Sequence, residues 1–304
     1  MEKYQIIEEV GRGSYGVVWK SLNNETDETV AIKKIKTMYL STEESMNLTD
    51  VNSLIKMMNH HPNIIKLKEI IRENHQAFLV YEYMECSLYK VMVERKKPFS
   101  ETEVKELCYP VFKGLAYMHH NGNFHHDLKP DSILVDKKND AIKIDLGHAR
   151  EMNGNSPCTD YVTGCWYRAP EAILDSSVYN YAVDMWAMGA IMVELFTLKP
   201  LFQGSCEKKV YRKICSLFGP PPNDQDLASE IDVIIPDQLP GVSISELLPC
   251  ASPDAVDLIA SLLSWHPKNR PTAMEALQHP FFNRCYYAPP LLPHQLAKEC
   301  GWIC

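Results

Sequence analysis

The sequence predicts an α+β protein of two lobes: a small amino-terminal lobe of antiparallel strands with one helix, and a larger, mostly helical carboxy-terminal lobe. Three observations support this prediction. The first eighty residues contain short runs rich in Val, Ile and Tyr, separated by polar or glycine-containing turns, which is typical of strands. One amphipathic helical pattern interrupts these runs. After Met84 the pattern changes to helices with capping residues at their starts.

The small lobe is expected to contain five strands and one helix. The predicted strands are Tyr4–Val10, Val17–Ser21, Thr29–Lys36, Ile65–Arg72 and Ala77–Glu82. Between the third and the fourth strand, apolar residues recur on one face of a helix, and these are Leu48, Val51, Leu54, Ile55 and Met58. The connection to the large lobe is expected near residues 82–84.

Capping residues mark the helix starts of the large lobe. Ser100 and Glu103 form the pattern of a capping box, and Pro110 inside the following helix predicts either a kink or a later start. Ser252 and Thr272 mark two further helix starts. The large lobe is therefore predicted to be mostly helical.

Composition argues against several classes of partner. The 304 residues carry a net charge of -8, whereas nucleic-acid-binding proteins usually present a basic face, so no nucleic-acid partner is expected. The most apolar stretch, Met185–Val193, is too short to span a bilayer, and no secretory leader follows Met1, so no membrane association is expected. The ten cysteines lack metal-ligand or disulfide spacing, which favours a cytoplasmic or nuclear location.

A glycine-rich segment follows the first predicted strand. Residues 11–18 have the spacing GxGxxGxV, in which glycines let the backbone approach phosphate groups closely. Alone, this pattern also fits a dinucleotide-binding turn or an ordinary loop. A dinucleotide-binding turn would open a helix, whereas this segment leads into a predicted strand. Lys33 ends the next run, Val30-Ala31-Ile32-Lys33, and the loop and the lysine together favour phosphate binding over a solvated charge.

Two acidic motifs lie in the middle of the chain. His125-His126-Asp127-Leu128-Lys129-Pro130-Asp131-Ser132 is similar to a signature of His-Arg-Asp followed, after four residues, by Asn. Thirteen residues after Ser132 comes Asp145-Leu146-Gly147, where Asp-Phe-Gly would carry a carboxylate for Mg²⁺. Asp-Leu-Gly alone is a commonplace turn, but its position after the strand-like residues 141–144 favours the metal role.

Further motifs complete a pattern that resembles eukaryotic protein kinases from Tyr4 to about Phe282. These motifs are Ala169-Pro170-Glu171, Asp184-Met185-Trp186-Ala187-Met188-Gly189 and Arg270. Trp166-Tyr167-Arg168 and Thr159-Asp160-Tyr161 resemble the branch related to cyclin-dependent and MAP kinases. Within that branch, the sequence is most similar to the plant cyclin-dependent kinase F group and to male-germ-cell-associated-kinase-like proteins.

The resemblance implies a protein kinase fold and a domain organisation. A kinase domain would cover residues 4–282, with a small lobe at 4–82, a hinge at 82–84 and a large lobe at 85–282. Residues 283–304 would form a tail. The implied activity is transfer of the ATP γ-phosphate to Ser or Thr of a protein substrate, often before proline, with ATP and Mg²⁺ as cofactors. A cyclin or an upstream activating kinase as partner stays open.

The resemblance also implies roles for individual residues. Asp127 and Lys129 would be catalytic, and Asp145 and Ser132 would bind the metal. The residues implied in ATP binding are Val10, Gly11, Arg12, Gly13, Ser14, Tyr15, Gly16, Val18, Ala31, Lys33, Asp50, Glu82 and Met84. Candidate phosphorylation sites are Ser14, Tyr15, Thr159 and Tyr161. For Thr159 and Tyr161, ordinary polar loop residues are an equally good interpretation.

Five positions depart from the family pattern. His126 and Cys165 stand where the family has an Arg and a second basic residue that bind the phosphorylated activation loop, so only Arg150 remains of the expected phosphate receptor. Ser132 replaces the Asn that ligates a second Mg²⁺, and its hydroxyl is a weaker oxygen ligand. Asp50 replaces a longer Glu that pairs with the strand lysine, and Gly164 replaces a Thr.

These departures leave two functional readings open. The first is a Ser/Thr protein kinase of the cyclin-dependent type with weakened activity, which the retained Lys33, Asp127 and Asp145 favour. The second is a catalytically impaired pseudokinase that acts as a nucleotide-binding or scaffold protein, which the combined substitutions favour. Phosphoryl transfer depends mainly on positioning and electrostatics, so each misplaced group is expected to slow the reaction rather than abolish it.

Overall fold

The computed structural model describes residues 1–13, 16–35, 60–73, 76–138, 140–146, 150–151, 164–174, 180–220 and 241–283. These residues form an antiparallel sheet followed by a larger, mostly helical unit. The predicted α+β, two-lobed fold class is therefore confirmed. The helix predicted around Leu48–Met58 lies outside the described residues, as do the candidate phosphorylation sites Thr159 and Tyr161.

Five antiparallel strands form the small lobe. They are β1 (Tyr4–Gly13), β2 (Gly16–Asn23), β3 (Thr29–Ile35), β4 (Leu67–Glu73) and β5 (Gln76–Glu82), in the sheet order β1-β2-β3-β5-β4. Gly13 pairs with Gly16, so the glycine-rich segment connects β1 to β2. The residues that form a small apolar core here are Tyr4, Val30, Ile32, Phe78 and Val80. All five predicted strands are confirmed.

The fourth strand begins two residues later than its sequence pattern predicts. Ile64 forms a parallel bridge with Ile144, and the Ile65 N–H donates to the Ile144 carbonyl at 2.9 Å. Ile64 and Ile65 are therefore bound to the strand that ends at Ile144, in the large lobe. This pairing links the two lobes. The strand β4 starts only after it, at Leu67.

The large lobe contains eight α-helices among the described residues. They are α1 (Leu88–Glu94), α2 (Glu101–His120), α3 (Pro170–Ile173), α4 (Ala182–Thr197), α5 (Glu207–Phe218), α6 (Ile244–Leu247), α7 (Pro253–Leu262) and α8 (Ala273–Leu277). Four 3₁₀ helices lie at Pro130–Ser132, Gly164–Tyr167, Pro267–Asn269 and Pro280–Phe282. None of the helices in the described part of the chain is long and apolar enough to cross a membrane.

Five short strands lie in the described part of the large lobe. β6 (Cys86–Ser87), β8 (Ile133–Asp136) and β9 (Ala141–Ile144) form a three-stranded sheet in the order β6-β8-β9. β7 (Asn123–Phe124) pairs with β10 (Arg150–Glu151). Strands of two to four residues are too short for a sequence pattern to reveal, and of these only residues 141–144 were predicted.

The capping residues set the helix starts as the sequence predicts. Glu103 Oε2 accepts from the Ser100 N–H at 2.7 Å, and the Ser100 hydroxyl accepts from the Glu103 N–H at 3.4 Å. α2 begins directly after this capping box and continues through Pro110, so the alternative of a later start is wrong. Ser252 and Thr272 cap α7 and α8.

Helix α4 is the centre of the large lobe. Fourteen of its sixteen residues are buried, and helices that are apolar all round occupy the core of a protein. Arg270 makes a bidentate pair with Glu171, at 2.5 and 2.8 Å, and its guanidinium lies over the ring of Trp186. This pair ties α3 to the chain between α7 and α8. Asp184 of α4 accepts hydrogen bonds from the backbone that leads into Asp127.

Candidate active site

A cleft of ≈ 580 Å³ lies between the sheet of the small lobe and the large lobe. Val18 and Ala31 line it from β2 and β3, and Leu134 lines it from β8. Lys33 and Asp145 also reach its wall, from opposite lobes. The volume is in the range of pockets for small ligands and cofactors, which are mostly apolar with a few polar groups.

Seven of the thirteen residues predicted to bind a nucleotide line this cleft. They are Val10, Gly11, Val18, Ala31, Lys33, Glu82 and Met84. Arg12, Gly13 and Gly16 are described but do not line it, and the Arg12 guanidinium is bound by Glu9 Oε1 and Oε2 at 2.8 and 2.7 Å. Ser14, Tyr15 and Asp50 lie outside the described residues, so their roles stay predictions.

The hinge between the lobes combines a fixed carboxylate with available main-chain groups. Glu82 Oε1 accepts from Lys143 Nζ at 2.6 Å and from the Lys66 N–H at 2.7 Å. Among the described residues, the main-chain N–H and C=O of Met84 have no hydrogen-bond partner, although Met84 is buried against the cleft. Buried main-chain groups are nearly always paired, so Met84 offers a donor and an acceptor to a ligand.

The Asp145 backbone is held from two sides. Its N–H donates to the Ser132 carbonyl at 2.9 Å, and its C=O lies 2.8 Å from His125 Nε2. The Tyr81 side chain is buried at the back of the cleft, and burial, together with the nearby carboxylate of Asp145, raises the pKa of its phenol. Asp145 is therefore a positioned carboxylate at the inner end of the cleft.

Buried Asp184 fixes the backbone that leads into Asp127. Its two carboxylate oxygens accept from the N–H groups of His125 and His126, each at 2.8 Å, and Oδ2 lies 2.9 Å from His119 Nε2. Burial raises the pKa of Asp184, but the hydrogen bonds and charges of His119 and His125 outweigh it and hold that pKa below its usual value. His126 has a φ of +71°, a conformation that costs a non-glycine residue about 1 kcal/mol or more.

Asp127 and Lys129 form a close ion pair on the segment that leads to Asp131, which lines the cleft. Lys129 Nζ lies 2.7 Å from Asp127 Oδ2, and the two side chains are 18% and 15% exposed. The pair thus brings a carboxylate and an ammonium group together at a place that solvent and a substrate can reach. A carboxylate can accept a proton from a hydroxyl group, and an ammonium can stabilise a developing negative charge.

Ser132 is bound within its own turn. Its hydroxyl donates to the Lys129 carbonyl at 2.9 Å and accepts from the Lys129 N–H at 3.0 Å. Ser132 is buried and does not line the cleft, whereas Asp145 does. One lone pair of the hydroxyl oxygen is left for other contacts. No group of three or more His, Cys, Asp or Glu residues able to hold a metal occurs in the described part of the chain.

The side chains near the predicted phosphate receptor differ from a basic cluster. The ring of His126 packs edge-to-face on Phe124 at 5.8 Å, beside a cavity of only ≈ 10 Å³ that Arg168 also lines. Arg168 forms an ion pair with Glu207 of α5. Cys165 is buried, and burial raises the pKa of its thiol. The side chain of Arg150, the remaining basic residue of the predicted receptor, is not described.

Comparison with known proteins gives this geometry a family. Residues 4–282 match the protein kinase domain model. The chain belongs to the protein kinase family. Rice cyclin-dependent kinase F-4 is 50% identical over 296 residues, which cover 95% of this chain and 63% of that protein. The rat serine/threonine-protein kinase MAK is 42% identical over 305 residues, which cover 98% of this chain and 48% of that protein.

A third relative comes from another organism. A probable serine/threonine-protein kinase of Dictyostelium discoideum is 43% identical over 290 residues, which cover 93% of this chain and 56% of that protein. The chain spans about half to two thirds of the length of these three relatives. The resemblance to the kinase F group and to male-germ-cell-associated kinases is thereby confirmed.

The kinase cleft also includes residues that sequence reasoning did not assign to it. They are Glu8, Glu9, Ile65, Glu85, Cys86, Ser87, Lys90, Asp131 and Leu134. Leu134 could have been found, since it is the middle residue of the apolar run Ile133-Leu134-Val135 directly after the catalytic loop. Ile65 and Cys86 carry no local signal, because they reach the cleft through pairing with β9 and β8.

Proposed function

We propose that this kinase domain transfers the γ-phosphate of MgATP to Ser or Thr hydroxyl groups of protein substrates. The observation that carries the proposal is the 2.7 Å pair of Asp127 and Lys129 on a backbone fixed by Asp184. The same segment continues to Asp131, which lines a cleft together with Lys33 and Asp145. The relatives named as serine/threonine-protein kinases support the choice of hydroxyl acceptor.

The chemistry of the cleft fits MgATP. Val18, Ala31 and the main-chain groups of Met84 would hold the adenine, because they offer apolar walls with one donor and one acceptor. Lys33 would bind phosphate oxygens and Asp145 the Mg²⁺, which commonly takes one or two protein carboxylates and completes its shell with phosphates and water. Bound MgATP supplies the phosphoryl group and a cation that neutralises its charge.

Asp127 and Lys129 would act on the acceptor. The Asp127 carboxylate would accept a hydrogen bond from the substrate hydroxyl and orient its oxygen. It would take the hydroxyl proton as the new O–P bond forms, while the bond from the γ-phosphorus to the β,γ-bridging oxygen breaks and ADP leaves. The Lys129 ammonium, held at 2.7 Å from that carboxylate, would stabilise the negative charge of the transferred group. His125 would position the metal-binding carboxylate through its contact with the Asp145 backbone.

We further propose that transfer is slow, with a nucleotide-binding or scaffold protein as the second candidate function. The observation that favours both is the Ser132 hydroxyl, which is engaged with the Lys129 N–H and carbonyl. An Asn side chain would reach further and present a stronger carbonyl ligand. The phenyl contact of His126 also differs from the bidentate phosphate contact that an Arg provides.

The test is transfer of radiolabelled γ-phosphate from MgATP to peptides with Ser-Pro, Thr-Pro or Ala-Pro at the acceptor position. We expect label in the Ser-Pro and Thr-Pro peptides only. The transfer rate of a His126→Arg, Ser132→Asn double variant should be about tenfold or more above that of wild type. His120→Arg with Ser245→Asn makes the same chemical changes at exposed positions and should leave the rate unchanged. Absence of label in every protein would favour the scaffold function.

Domain limits, partners and location are also proposals. We propose residues 4–282 as the catalytic domain, residues 283–304 as a tail, and a cytoplasmic or nuclear location. A cyclin is a candidate partner, because the rice relative is named as a cyclin-dependent kinase. If a cyclin activates this domain, adding one to the peptide assay should raise the rate, whereas an unchanged rate with a panel of cyclins would exclude this partner.

A further inference from the structure

The outer face of helix α5 carries a cluster of positive charge. Four exposed cations lie on it, and they are Lys208, Lys209, Arg212 and Lys213. The opposite face of the helix packs into the core through the buried residues Val210, Tyr211, Ile214 and Cys215. Residues at positions i, i+1, i+4 and i+5 project within about 140° around a helix axis, so the cations share one side. We call these four residues the basic face.

The basic face has no acidic partner within the described part of the molecule. None of its four side chains forms an ion pair or a hydrogen bond with another described residue. The one acid of the helix, Glu207, is paired with Arg168. Among the described residues, these four positive charges are therefore uncompensated, although the net charge of the whole chain is -8.

Helix stability does not explain these charges. Lys208 and Lys209 lie in the first turn of α5, where the helix dipole favours acids and disfavours cations. Lys208 with Arg212, and Lys209 with Lys213, are like-charge pairs at i,i+4, which destabilise a helix. Each of these placements opposes the fold of α5. The arrangement therefore points to a ligand outside the helix.

We propose that the basic face binds an acidic segment of a partner protein. Charge complementarity supports this occupant, and the distance from residue 208 to residue 213 is about 8 Å, which about three extended residues cover. A membrane surface fits less well, because the apolar side of α5 is buried and cannot insert into lipid. A nucleic acid fits less well, because a long polyanion would meet the negative charge of the rest of the chain.

Two contacts connect the start of α5, and the segment just before it, to residues 166–168. Trp166 Nε1 donates to the Gly204 carbonyl at 2.6 Å, and Arg168 pairs with Glu207 at the start of α5. Arg168 and Asp127 line the same small cavity. An acidic segment on the basic face would thus retain a protein substrate next to the catalytic loop. This extension to substrates rests on the proposed function, whereas binding of the acidic segment does not.

The test measures binding directly, without nucleotide and without turnover. The probe is a short fluorescein-labelled peptide of alternating Asp and Glu, and its anisotropy is followed at low salt with the full chain. We expect charge reversal (Lys208→Glu, Lys209→Glu, Arg212→Glu, Lys213→Glu) to weaken binding by at least about tenfold. A version with Gln at the four positions should weaken it as well, and it introduces no new acids should the reversed protein fail to fold.

A matched control separates the basic face from net charge. Reversal of four exposed lysines elsewhere (Lys96→Glu, Lys97→Glu, Lys137→Glu, Lys138→Glu) changes the net charge by the same amount, and binding should stay within about twofold of wild type. Circular dichroism checks that each variant is folded. Equal losses in the control and the reversed protein would overturn the proposal, as would equal binding of a peptide of Asn and Gln.

Other occupants give results that also contradict the proposal. Tighter binding to phosphatidylserine vesicles or to single-stranded DNA than to the acidic peptide, lost on reversal of the basic face, would assign the face to a lipid surface or a nucleic acid. Residues 221–240, outside the described residues, contain five acids and no Lys or Arg. If the chain's own acids already neutralise the face, the wild-type protein will not bind the peptide, and the proposal fails.

Discussion

His61 is expected to make the stability of the protein depend on pH below neutrality. Its side chain is 5% exposed and stacks on the ring of Tyr117 with centroids 5.0 Å apart. Nδ1 accepts from the Asn63 N–H at 3.1 Å, while Nε2 is buried without a partner. Burial, together with the charge of Lys113, lowers the pKa of His61 from 6.5 to about 4.

The magnitude follows from the difference between the folded and unfolded pKa. The unfolded chain takes up a proton on His61 near pH 6.5, but the folded protein resists it until about pH 4, so acid favours unfolding. This contribution to stability is complete above about pH 7 and is lost as the pH falls towards 4. Between pH 7 and pH 5 the loss is about 2 kcal/mol.

The perturbation that isolates this effect is His61→Asn. Asn does not titrate, and its side-chain oxygen can still accept from the N–H two residues later, as in an Asx turn. Loss of the stacked ring lowers stability at both pH values equally. We therefore measure the free energy of unfolding in urea, by tryptophan fluorescence, at pH 7 and at pH 5. Between these two pH values it should fall by about 2 kcal/mol less in His61→Asn than in wild type.

A neighbouring histidine provides the control. His60 is exposed, so His60→Asn should retain the full wild-type drop between pH 7 and pH 5. If the free energy of unfolding falls equally in wild type and His61→Asn between pH 7 and pH 5, the reasoning is refuted. Burial of a neutral His61 would then not contribute to acid sensitivity. An equally reduced drop in both variants would also contradict it.

Two further substitutions test the packing that supports the site. In Gly114→Ala, the new Cβ would lie 2.9 Å from the Asn63 carbonyl and 2.8 Å from Ile144 Cδ1, so we expect a loss of about 1–2 kcal/mol in urea unfolding despite the better helix propensity of Ala. Stability equal to wild type would contradict this. Asp184→Asn should cost roughly 3 kcal/mol, because a buried amide cannot accept at both oxygen positions from His125 and His126. The folded pKa of Asp184 is lowered, so its stabilising contribution is present above about pH 4 and lost below it, and the variant should show a weaker acid transition there.

Local patterns predicted much of the fold because their causes are local. Alternating apolar residues specify the sheet of the small lobe, and the Ser100–Glu103 capping box specifies where α2 begins even though Pro110 follows. The start of β4 could not be predicted in the same way. Ile64 and Ile65 pair with Ile144, which is eighty residues away in sequence, and no local pattern reports such a partner.

The candidate site was predicted in its residue types more than in its contacts. Family motifs located Lys33, Asp127 and Asp145, and the structure brings Lys33 and Asp145 to one cleft. The same comparison treated Ser132 as a shorter metal ligand. Serine hydroxyls often bind nearby backbone groups, and here the turn at Lys129 competes for the hydroxyl. Whether a serine hydroxyl binds a metal ion or a nearby backbone group depends on backbone geometry that the sequence alone does not give.

The central claim is that Asp127 acts on the substrate hydroxyl in a working phosphotransfer site. The most direct test is the single-turnover rate of phosphate transfer from MgATP to a Ser-Pro peptide, for wild type and Asp127→Asn. Asp140→Asn, at an exposed turn residue with positive φ that Asn tolerates, is the control. We predict a rate about 10²-fold or more lower in Asp127→Asn, with nucleotide affinity and the control unchanged. Equal rates in wild type and Asp127→Asn would contradict the claim.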